Sequence, residues 1–333
     1  MSLAATEPQI GTFEADNVVA FPSARSGTVS DRLEIRLLGP FEARLGGRPA
    51  TVNGSKRRAV LAVLALAAGR VVSVDTLVDV LWRTDEPAAP RNAVQHHVTR
   101  LRAELGADSI TAFPNGYALT GARVDALLFE DLVAAARAEL RAGDPEAAAD
   151  SAARALALHR GSALQGLPDT EWVCAEAARL DAVRLDALEE QFEAALALGR
   201  HGEIVSALRA AVDESPFRER LHGQLMLALY RCGRQADALE AFRHARLVLS
   251  EELGLEPGPE LRRLERAILA HDPSLALPLQ RASGEDEPGT DRSPAHRRDA
   301  LADVLQLMRA HLRHVEELYA QALAAAAATP SCS

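Results

Sequence analysis

The residues with the most to offer chemically lie between positions 90 and 106, in the segment PRNAVQHHVTRLRAELG. Proline suits the first turn of a helix and glycine its end, so Pro90 and Gly106 predict one helix here. Its apolar residues share one narrow stripe: Val94, Val98, Leu101 and Leu105. The opposite side and its flanks carry amides, a hydroxyl, an imidazole and guanidinium groups, which can hydrogen-bond to base edges and phosphates. The pattern predicts a helix that enters the major groove of DNA.

Each side chain on this face suits a particular contact. Short polar side chains are the candidates for base contacts: Asn92, Gln95, His96 and Thr99. Cations on the flanks, or near the start of an earlier helix, are the candidates for phosphate contacts: Arg100, Arg102, Lys56, Arg57 and Arg58. Arg91 suits either contact. The alternative is an ordinary solvated face, because any surface helix exposes polar residues.

Charge is distributed unevenly along the 333 residues, whose formal net charge is −10. Residues 31–123 contain 13 Arg or Lys against 9 Asp or Glu, a net charge of +4, whereas residues 124–333 carry −12. The basic excess is therefore confined to the segment that contains the predicted recognition helix. Because +4 is modest, specific DNA affinity would depend on a local patch and on more than one bound protomer.

The segments before this helix predict strands and then two helices. Residues 33–52 alternate apolar and polar residues around two turn signals, which is typical of two or three short antiparallel strands. Ser55 is predicted to cap a first helix. Ser73 or Asp75 is predicted to cap a second, short helix that ends at Trp82.

A hairpin is predicted directly after the recognition helix. Residues 109–120 contain two β-prone pieces around Asn115 and Gly116, a pair of residues that favours a tight hairpin turn. We expect these two residues to shape the wing. Strands, three helices and a hairpin follow one another in the order of a winged helix, in which the third helix enters the major groove and the wing can touch the backbone.

From Val124 onward the sequence predicts helices almost throughout. A shift of 34 residues superposes related residues: Ala194 on Ala228, Gly199 on Gly233, Arg200 on Arg234, Ala207 on Ala241, Leu208 on Phe242 and Ala211 on Ala245. This is the period of the tetratricopeptide repeat, whose helix pairs stack into a curved solenoid. The alternative is an ordinary helical bundle. The predicted fold class is mainly α with a small β part, a winged helix-turn-helix domain followed by a TPR-like solenoid.

Several segments resemble the OmpR-type winged helix of the SARP family, the Streptomyces antibiotic regulatory proteins. They are Leu38-Gly39-Pro40, Gly69 to Trp82, Val98 to Leu105 and Gly116-Tyr117-Ala118-Leu119. Leu249 to Leu269 is similar to the end of the bacterial transcriptional activation domain that follows the winged helix in that family. The resemblance implies side-by-side protomers on direct repeats of promoter DNA. It also implies recruitment of RNA polymerase through the sigma factor. Residues 83–90 and the start of the second helix would face the polymerase, and the helical domain would hold protomers or polymerase subunits.

These patterns divide the chain into five predicted parts. They are a disordered arm at 1–30, the winged helix at 31–123, the TPR-like activation domain at 124–272, a flexible linker at 273–296 and a C-terminal amphipathic helix at 297–328. The last of these would dock on the solenoid or pair with its copy in a dimer.

Other chemistries find little support in the sequence. Gly54-Ser55-Lys56 lacks the upstream glycine and the adjacent Gly-Lys of a phosphate-binding loop, so nucleotide hydrolysis is not expected. The histidine pairs His96-His97 and His311/His314 lack the further ligands of a metal site. We expect no enzymatic activity, no cofactor and no metal. No apolar run is long enough to span a bilayer, and the three cysteines show no paired spacing, so we expect a cytoplasmic, nucleoid-associated protein with buried or inert thiols.

The sequence thus predicts a DNA-binding transcriptional activator of a secondary-metabolite gene cluster. Two alternatives stay open. One is an interaction scaffold or sensor built on the solenoid, which would not bind DNA, and the other is a repressor that uses the same DNA face.

Overall fold

A computed structural model describes residues 33–82 and 87–276. The first part contains short strands and three helices. In chain order they are β1 (Leu33–Arg36), β2 (Glu42–Leu45), β3 (Arg48–Ala50), α1 (Ser55–Leu66), β4 (Val72–Ser73), α2 (Val74–Leu81), α3 (Pro90–Leu105), β5 (Ile110–Phe113), β6 (Gly116–Leu119) and β7 (Arg123–Val124). The winged-helix order predicted from the sequence is confirmed.

The strands form two small sheets. One has the order β3-β2-β1-β7 and the other the order β4-β6-β5. The antiparallel strands β1, β2 and β3 and the hairpin β5-β6 were expected. The two-residue strands β4 and β7 were not, because so short a segment has no detectable periodicity. Strand β7 runs parallel to β1 and carries the chain into the second part.

The second part is helical. It contains α4 (Asp125–Ala142), α5 (Pro145–Leu156), α6 (Glu171–Ala197), α7 (His201–Glu214), α8 (Glu219–Arg231), α9 (Gln235–Leu253) and α10 (Pro259–Leu269), followed by a 3-10 turn (Pro273–Leu275). The predicted linker therefore begins with a structured turn, since the Arg231 guanidinium donates to the Leu275 carbonyl at 2.9 Å. The predicted arm, the rest of the linker and the C-terminal helix lie outside the described residues.

The internal repeat is visible in the backbone. Gly199 and Gly233, 34 residues apart, both have a φ of 76°. The residue after each glycine donates its N–H to the last turn of the preceding helix, Arg200 to the Ala195 carbonyl and Arg234 to the Leu229 carbonyl. The two helix pairs α6–α7 and α8–α9 are therefore joined by the same turn, which supports the tetratricopeptide period over an ordinary bundle.

Two helix starts show how well local signals predict capping. The Ser73 hydroxyl accepts from the Thr76 N–H at 3.0 Å and so caps α2, as one of the two predicted alternatives. The prediction for Ser55 is wrong, because Ser55 is the first residue of α1 and the cap position is Gly54. Helix α1 has no side-chain cap and no acidic residue in its first turn.

The apolar cores do not follow the predicted division at residues 123 and 124. One core runs from Leu33 to Ala187, so the winged helix shares it with α4, α5 and the first half of α6. A second core begins at Phe192, in the same helix, and continues to Ile268. Helix α6 therefore belongs to both cores, and the boundary between them falls inside it.

The backbone of Leu37 and Leu38 connects the two parts of the shared core. Their N–H groups donate to the two carboxylate oxygens of Asp125, at 2.7 and 3.2 Å. Their carbonyls accept from the Leu164 and Arg160 N–H groups, at 2.7 and 2.8 Å respectively. Burial raises the pKa of the Asp125 carboxyl, while the two N–H donors and the Arg160 guanidinium 3.7 Å away act in the opposite direction. We call these five residues the interdomain clamp: Leu37, Leu38, Asp125, Arg160 and Leu164.

Replacing Asp125 by alanine tests the clamp. The substitution leaves two N–H groups in the core without an acceptor, so we expect the free energy of unfolding to fall by about 3 kcal/mol. Urea unfolding of the full chain measures this change. Asp131→Ala, an exposed carboxylate on the same helix, is the matched control and should have little effect. Equal stabilities for the two variants would contradict the assignment.

His159, in the same core, predicts a pH dependence of stability. It packs edge-on against Phe129, with ring centroids 4.7 Å apart, and burial lowers its pKa from 6.5 to about 4. Because the unfolded chain binds this proton more readily, the contribution of neutral His159 is present above pH 6.5 and is lost as pH falls toward 4. We expect His159→Gln to reduce the stability loss between pH 7 and pH 5 by about 2 kcal/mol in urea unfolding. An unchanged pH dependence would show that His159 is not the group responsible.

Candidate nucleic-acid interface

Helix α3 lies across α1 and α2 and presents two unlike faces. Its buried residues are Val94, Val98, Leu101 and Leu105, the stripe predicted from the sequence. Pro90 is in its first turn and Gly106 follows its last residue, as expected. The stripe removes apolar surface from water, so it fixes which side of the helix faces outward.

The outward side of α3 is polar. Its exposed side chains include five of the predicted DNA contacts, which we call the recognition face: Asn92, Gln95, His96, Thr99 and Arg100. The Thr99 hydroxyl donates to the Gln95 carbonyl at 2.8 Å, which leaves its oxygen lone pairs facing outward as acceptors. Among the described residues, Arg100 has no hydrogen bond or ion pair. This face offers amide, hydroxyl, imidazole and guanidinium groups without a carboxylate among them.

Two other arginines of α3 have partners within the chain. Arg91 pairs with Asp75 at the start of α2, with 2.6 Å between guanidinium and carboxylate, and both side chains are exposed. Arg102 donates from Nε and Nη2 to the Ile110 carbonyl, at 3.0 and 2.8 Å. Arg102 thereby joins α3 to the first strand of the wing. Its phosphate contact stays a prediction, with two nitrogens already engaged.

The three cations at the start of α1 also face the protein. Arg57 donates to Glu104 of α3 at 2.5 Å, and both side chains are about one-fifth exposed. Arg58 donates to the Val52 carbonyl at 2.9 Å and lies near the Gly166 carbonyl of the helical part. The Arg58 guanidinium is thus used between the two parts of the chain, and its phosphate contact stays a prediction.

Lys56 belongs to a short stack of rings. Its ammonium lies 5.0 Å from the centre of the Trp82 ring, and Trp82 stacks on His97 with ring centroids 6.2 Å apart. Burial lowers the pKa of His97, and the nearby His96, Arg57 and Lys56 lower it further. A neutral His97 suits this position, since a second cation beside the Lys56–Trp82 contact would be repelled. The structure places His97 at the edge of the core and His96 on the exposed side.

The wing is shorter and less basic than the recognition helix. Its turn consists of Pro114 and Asn115, and Gly116 is already the first residue of β6. The Asn115 carbonyl accepts from the Val74 N–H at 3.0 Å, so the tip is held against the start of α2. Residues 109–120 contain no lysine or arginine. The Asn115 side chain is exposed, and its DNA contact stays a prediction.

Gly116, which was predicted to shape the wing, lies where strand β4 approaches the hairpin closely. It is buried and pairs with Ser73 of β4 and Phe113 of β5. A Cβ atom at this position would lie far inside van der Waals contact of the Val72 carbonyl oxygen. The glycine is therefore required for the close approach of β4, and the turn itself does not depend on it.

Three further features limit what the described residues can do. They contain no group of three or more His, Cys, Asp or Glu side chains placed to hold a metal ion. Nor do residues 33–82 and 87–276 include a helix long and apolar enough to cross a membrane. Cys174 and Cys232 are free and exposed. Of the expected buried or inert thiols, burial is wrong for both, and their inertness stays a prediction.

Family comparisons agree with this architecture. The family described as "Transcriptional regulatory protein, C terminal" matches residues 50–119, and the family described as "Bacterial transcriptional activator domain" matches residues 124–269. A winged helix followed by this helical domain defines a class of transcriptional regulators.

Individual relatives identify the family within that class. Regulatory protein DnrI of Streptomyces peucetius is 36% identical over 256 residues, which cover 73% of this chain and 94% of DnrI. Transcriptional regulator RedD of Streptomyces coelicolor is 37% identical, with 74% and 73% covered. The chain belongs to the SARP family of regulators.

Other relatives are longer than this chain. Regulatory protein AfsR of Streptomyces griseus is 36% identical over 265 residues, which are 78% of this chain and 27% of AfsR. The chain therefore spans about a quarter of that relative. Among solved structures, Mycobacterium tuberculosis EmbR in complex with a low-affinity phosphopeptide has a TM-score of 0.69 at 34% identity, covering 73% of this chain and 66% of EmbR.

The role of Gly116 can be tested directly. In Gly116→Ala the new methyl group meets backbone that cannot move aside without breaking the β4–β6 pairing, so we expect a loss of about 3 kcal/mol or more in stability. Thermal unfolding followed by circular dichroism measures it. Gly223→Ala, in α8, meets only leucine side chains at 3.6 and 3.8 Å and should be neutral or slightly stabilising. A tolerated Gly116→Ala would contradict the close-approach argument.

Proposed function

We propose that this chain is a sequence-specific DNA-binding transcriptional activator of a secondary-metabolite gene cluster. The observation that carries the proposal is the recognition face: amide, hydroxyl and imidazole groups on one side of a helix whose other side is firmly buried. Asn and Gln side chains can form bidentate hydrogen bonds with the edge of adenine, and the major groove is wide enough for an α-helix. The named relatives are regulators, which supports the same conclusion.

The same proposal includes the partners implied by the family. Two protomers bind side by side on direct repeats near a promoter, and RNA polymerase is recruited through its sigma factor. The stretch from Arg83 to Pro90 connects α2 to α3 and is the proposed polymerase-facing segment, of which residues 83–86 lie outside those described. Modest positive charge in the winged helix is consistent with a need for more than one protomer.

Genome-wide mapping of bound DNA, paired with transcript levels in a deletion strain, tests the proposal. We expect discrete peaks just upstream of promoter elements of one biosynthetic cluster, and loss of those transcripts in the deletion strain. Peaks over a promoter whose transcripts rise in the deletion would show a repressor. An absence of discrete peaks would contradict DNA binding and favour the scaffold.

Base reading by the recognition face predicts the effect of removing its amides. Asn92→Ala and Gln95→Ala should each weaken binding to the bound repeat by about 1–3 kcal/mol and relax specificity at one or two base pairs. Fluorescence anisotropy with the repeat and its single-base variants measures both effects. Gln191→Ala, an amide of the distant helix α6, should leave binding unchanged. Full binding by the double variant Asn92→Ala/Gln95→Ala would rule out α3 as the reading helix.

A further inference from the structure

The ion pair between Arg57 and Glu104 is far more enclosed than the other ion pair of α3, Arg91–Asp75. Arg57 Nη1 lies 2.5 Å from Glu104 Oε1, and the two side chains are 22% and 20% exposed. The second carboxylate oxygen of Glu104 is buried without a hydrogen-bond partner among the described residues. Glu104 is also the one acidic residue in the sequence of α3. The pair joins the first turn of α1 to the last turn of α3.

Each partner stands at the helix end that disfavours its charge. The start of a helix carries a partial positive charge and its end a partial negative charge, so a cation at the start and an anion at the end are both disfavoured. Arg57 is in the first turn of α1, which has no acidic residue, and Glu104 is in the last turn of α3. Helix dipoles alone would favour the opposite arrangement. The pair must therefore be maintained by the contact between its two members.

The pair restrains a motion that the apolar stripe leaves open. Four aliphatic side chains fix which side of α3 is buried. Because apolar contacts are non-directional, they define the rotation about the helix axis less sharply than hydrogen bonds do. A rotation of about 20° moves a side-chain tip about 6 Å from the axis by about 2 Å, which is enough to break a hydrogen bond. The polar contacts of α3 to its neighbours are directional: Arg91 to Asp75, Arg102 to the Ile110 carbonyl and Glu104 to Arg57.

Of these contacts, the Arg57–Glu104 pair is best placed to set the rotation. Arg91 and Asp75 are 66% and 70% exposed, and exposed ion pairs restrain little. Arg102 joins the C-terminal end of α3, where Glu104 also lies, to strand β5 of the wing. The Arg57–Glu104 pair instead connects α3 to α1, whose residues from Ala59 to Ala65 are all buried. The pair therefore anchors α3 to the core of the winged helix.

We propose that Arg57 and Glu104 are specificity-determining positioning residues, which hold the rotation of α3 so that Asn92, Gln95 and Thr99 meet their bases. This inference rests on the proposed DNA binding. It assigns Arg57 a role different from the phosphate contact predicted from the sequence. Arg57 acts through Glu104, and its charge is needed for the pair more than for the DNA.

A charge exchange separates the two roles. The probe is a DNA duplex selected by the wild-type full chain from a random library, together with its single-base variants. The wild-type chain should prefer the selected duplex by roughly tenfold or more for a mismatch at a contacted base. We expect R57E to reduce this preference to about threefold or less. The double variant R57E/E104R should restore it to within about threefold of the wild-type value, because the pair is re-formed with charges that the helix dipoles favour.

A control variant, an unfolding measurement and a neutral substitution make the result specific. R48E places the same charge change on the exposed strand β3 and should retain the preference of the wild-type chain. Thermal unfolding of each variant separates loss of fold from loss of positioning. R57Q, which removes the ion pair without placing two carboxylates together, should show the same reduced preference if R57E does not fold.

Three outcomes would overturn the inference or its basis. A folded R57E/E104R that binds the duplex without restored preference would show that the ion pair does not position α3, because a re-formed pair would then leave base selection unchanged. An unchanged preference in folded R57E or R57Q would show that the pair positions nothing. Failure of the wild-type chain to select any duplex would contradict the proposed function, and this inference with it.

Discussion

The backbone polar groups of Leu37 and Leu38 must be satisfied inside a core, and the helical part of the chain satisfies all four. Asp125 accepts both N–H groups, while the Leu164 and Arg160 N–H groups bind the two carbonyls. Gly39, the next residue, lies so close to Arg160 that an added Cβ would be 3.0 Å from the Arg160 Cβ atom. Because a buried N–H or carbonyl without a partner is expensive, this loop cannot separate from α4 and the α5–α6 connection without a large loss of stability. The winged helix and the first helices of the activation domain therefore behave as one body.

Because of this shared core, the helical domain influences the position of α3. Strand β1 is bound to β7, which leads directly into α4, and α1, α2 and α3 pack on the same apolar cluster. A force applied to α4 or α5 would reach α3 through packed side chains instead of through a flexible linker. The second core begins at Phe192. Among the described helices, α6 alone contributes buried residues to both cores. A partner that binds the later helices is thus connected to α3 through one long helix.

Local signals predicted most of the elements, and nonlocal contacts account for what they missed. Pro90, Gly106 and Ser73 act within their own helical turns, so their meaning can be inferred from neighbouring residues. The 34-residue shift was equally visible, because each repeat carries its own turn glycine. Strand β7 exists only because β1 lies beside it, and Gly116 is required only because β4 approaches it. For the candidate site, the buried and exposed sides of α3 followed from periodicity. The partners of Arg57, Arg58 and Arg102 did not, because a guanidinium looks the same in sequence whether it faces a phosphate, Glu104 or a carbonyl.

The use of arginines inside the winged helix changes what its positive charge can do. Arg57, Arg91 and Arg102 are engaged with Glu104, Asp75 and the Ile110 carbonyl, which leaves Arg100 as the arginine of α3 without a partner among the described residues. The wing adds no cation. If α3 reads DNA, each protomer neutralises few phosphates, and the salt-dependent, sequence-independent part of its affinity is small. Binding energy must then come mainly from amide and hydroxyl contacts to bases, which reward the correct sequence and give little on any other. Such a protomer would discriminate between sequences but bind weakly. A second protomer on an adjacent repeat would supply the additional affinity.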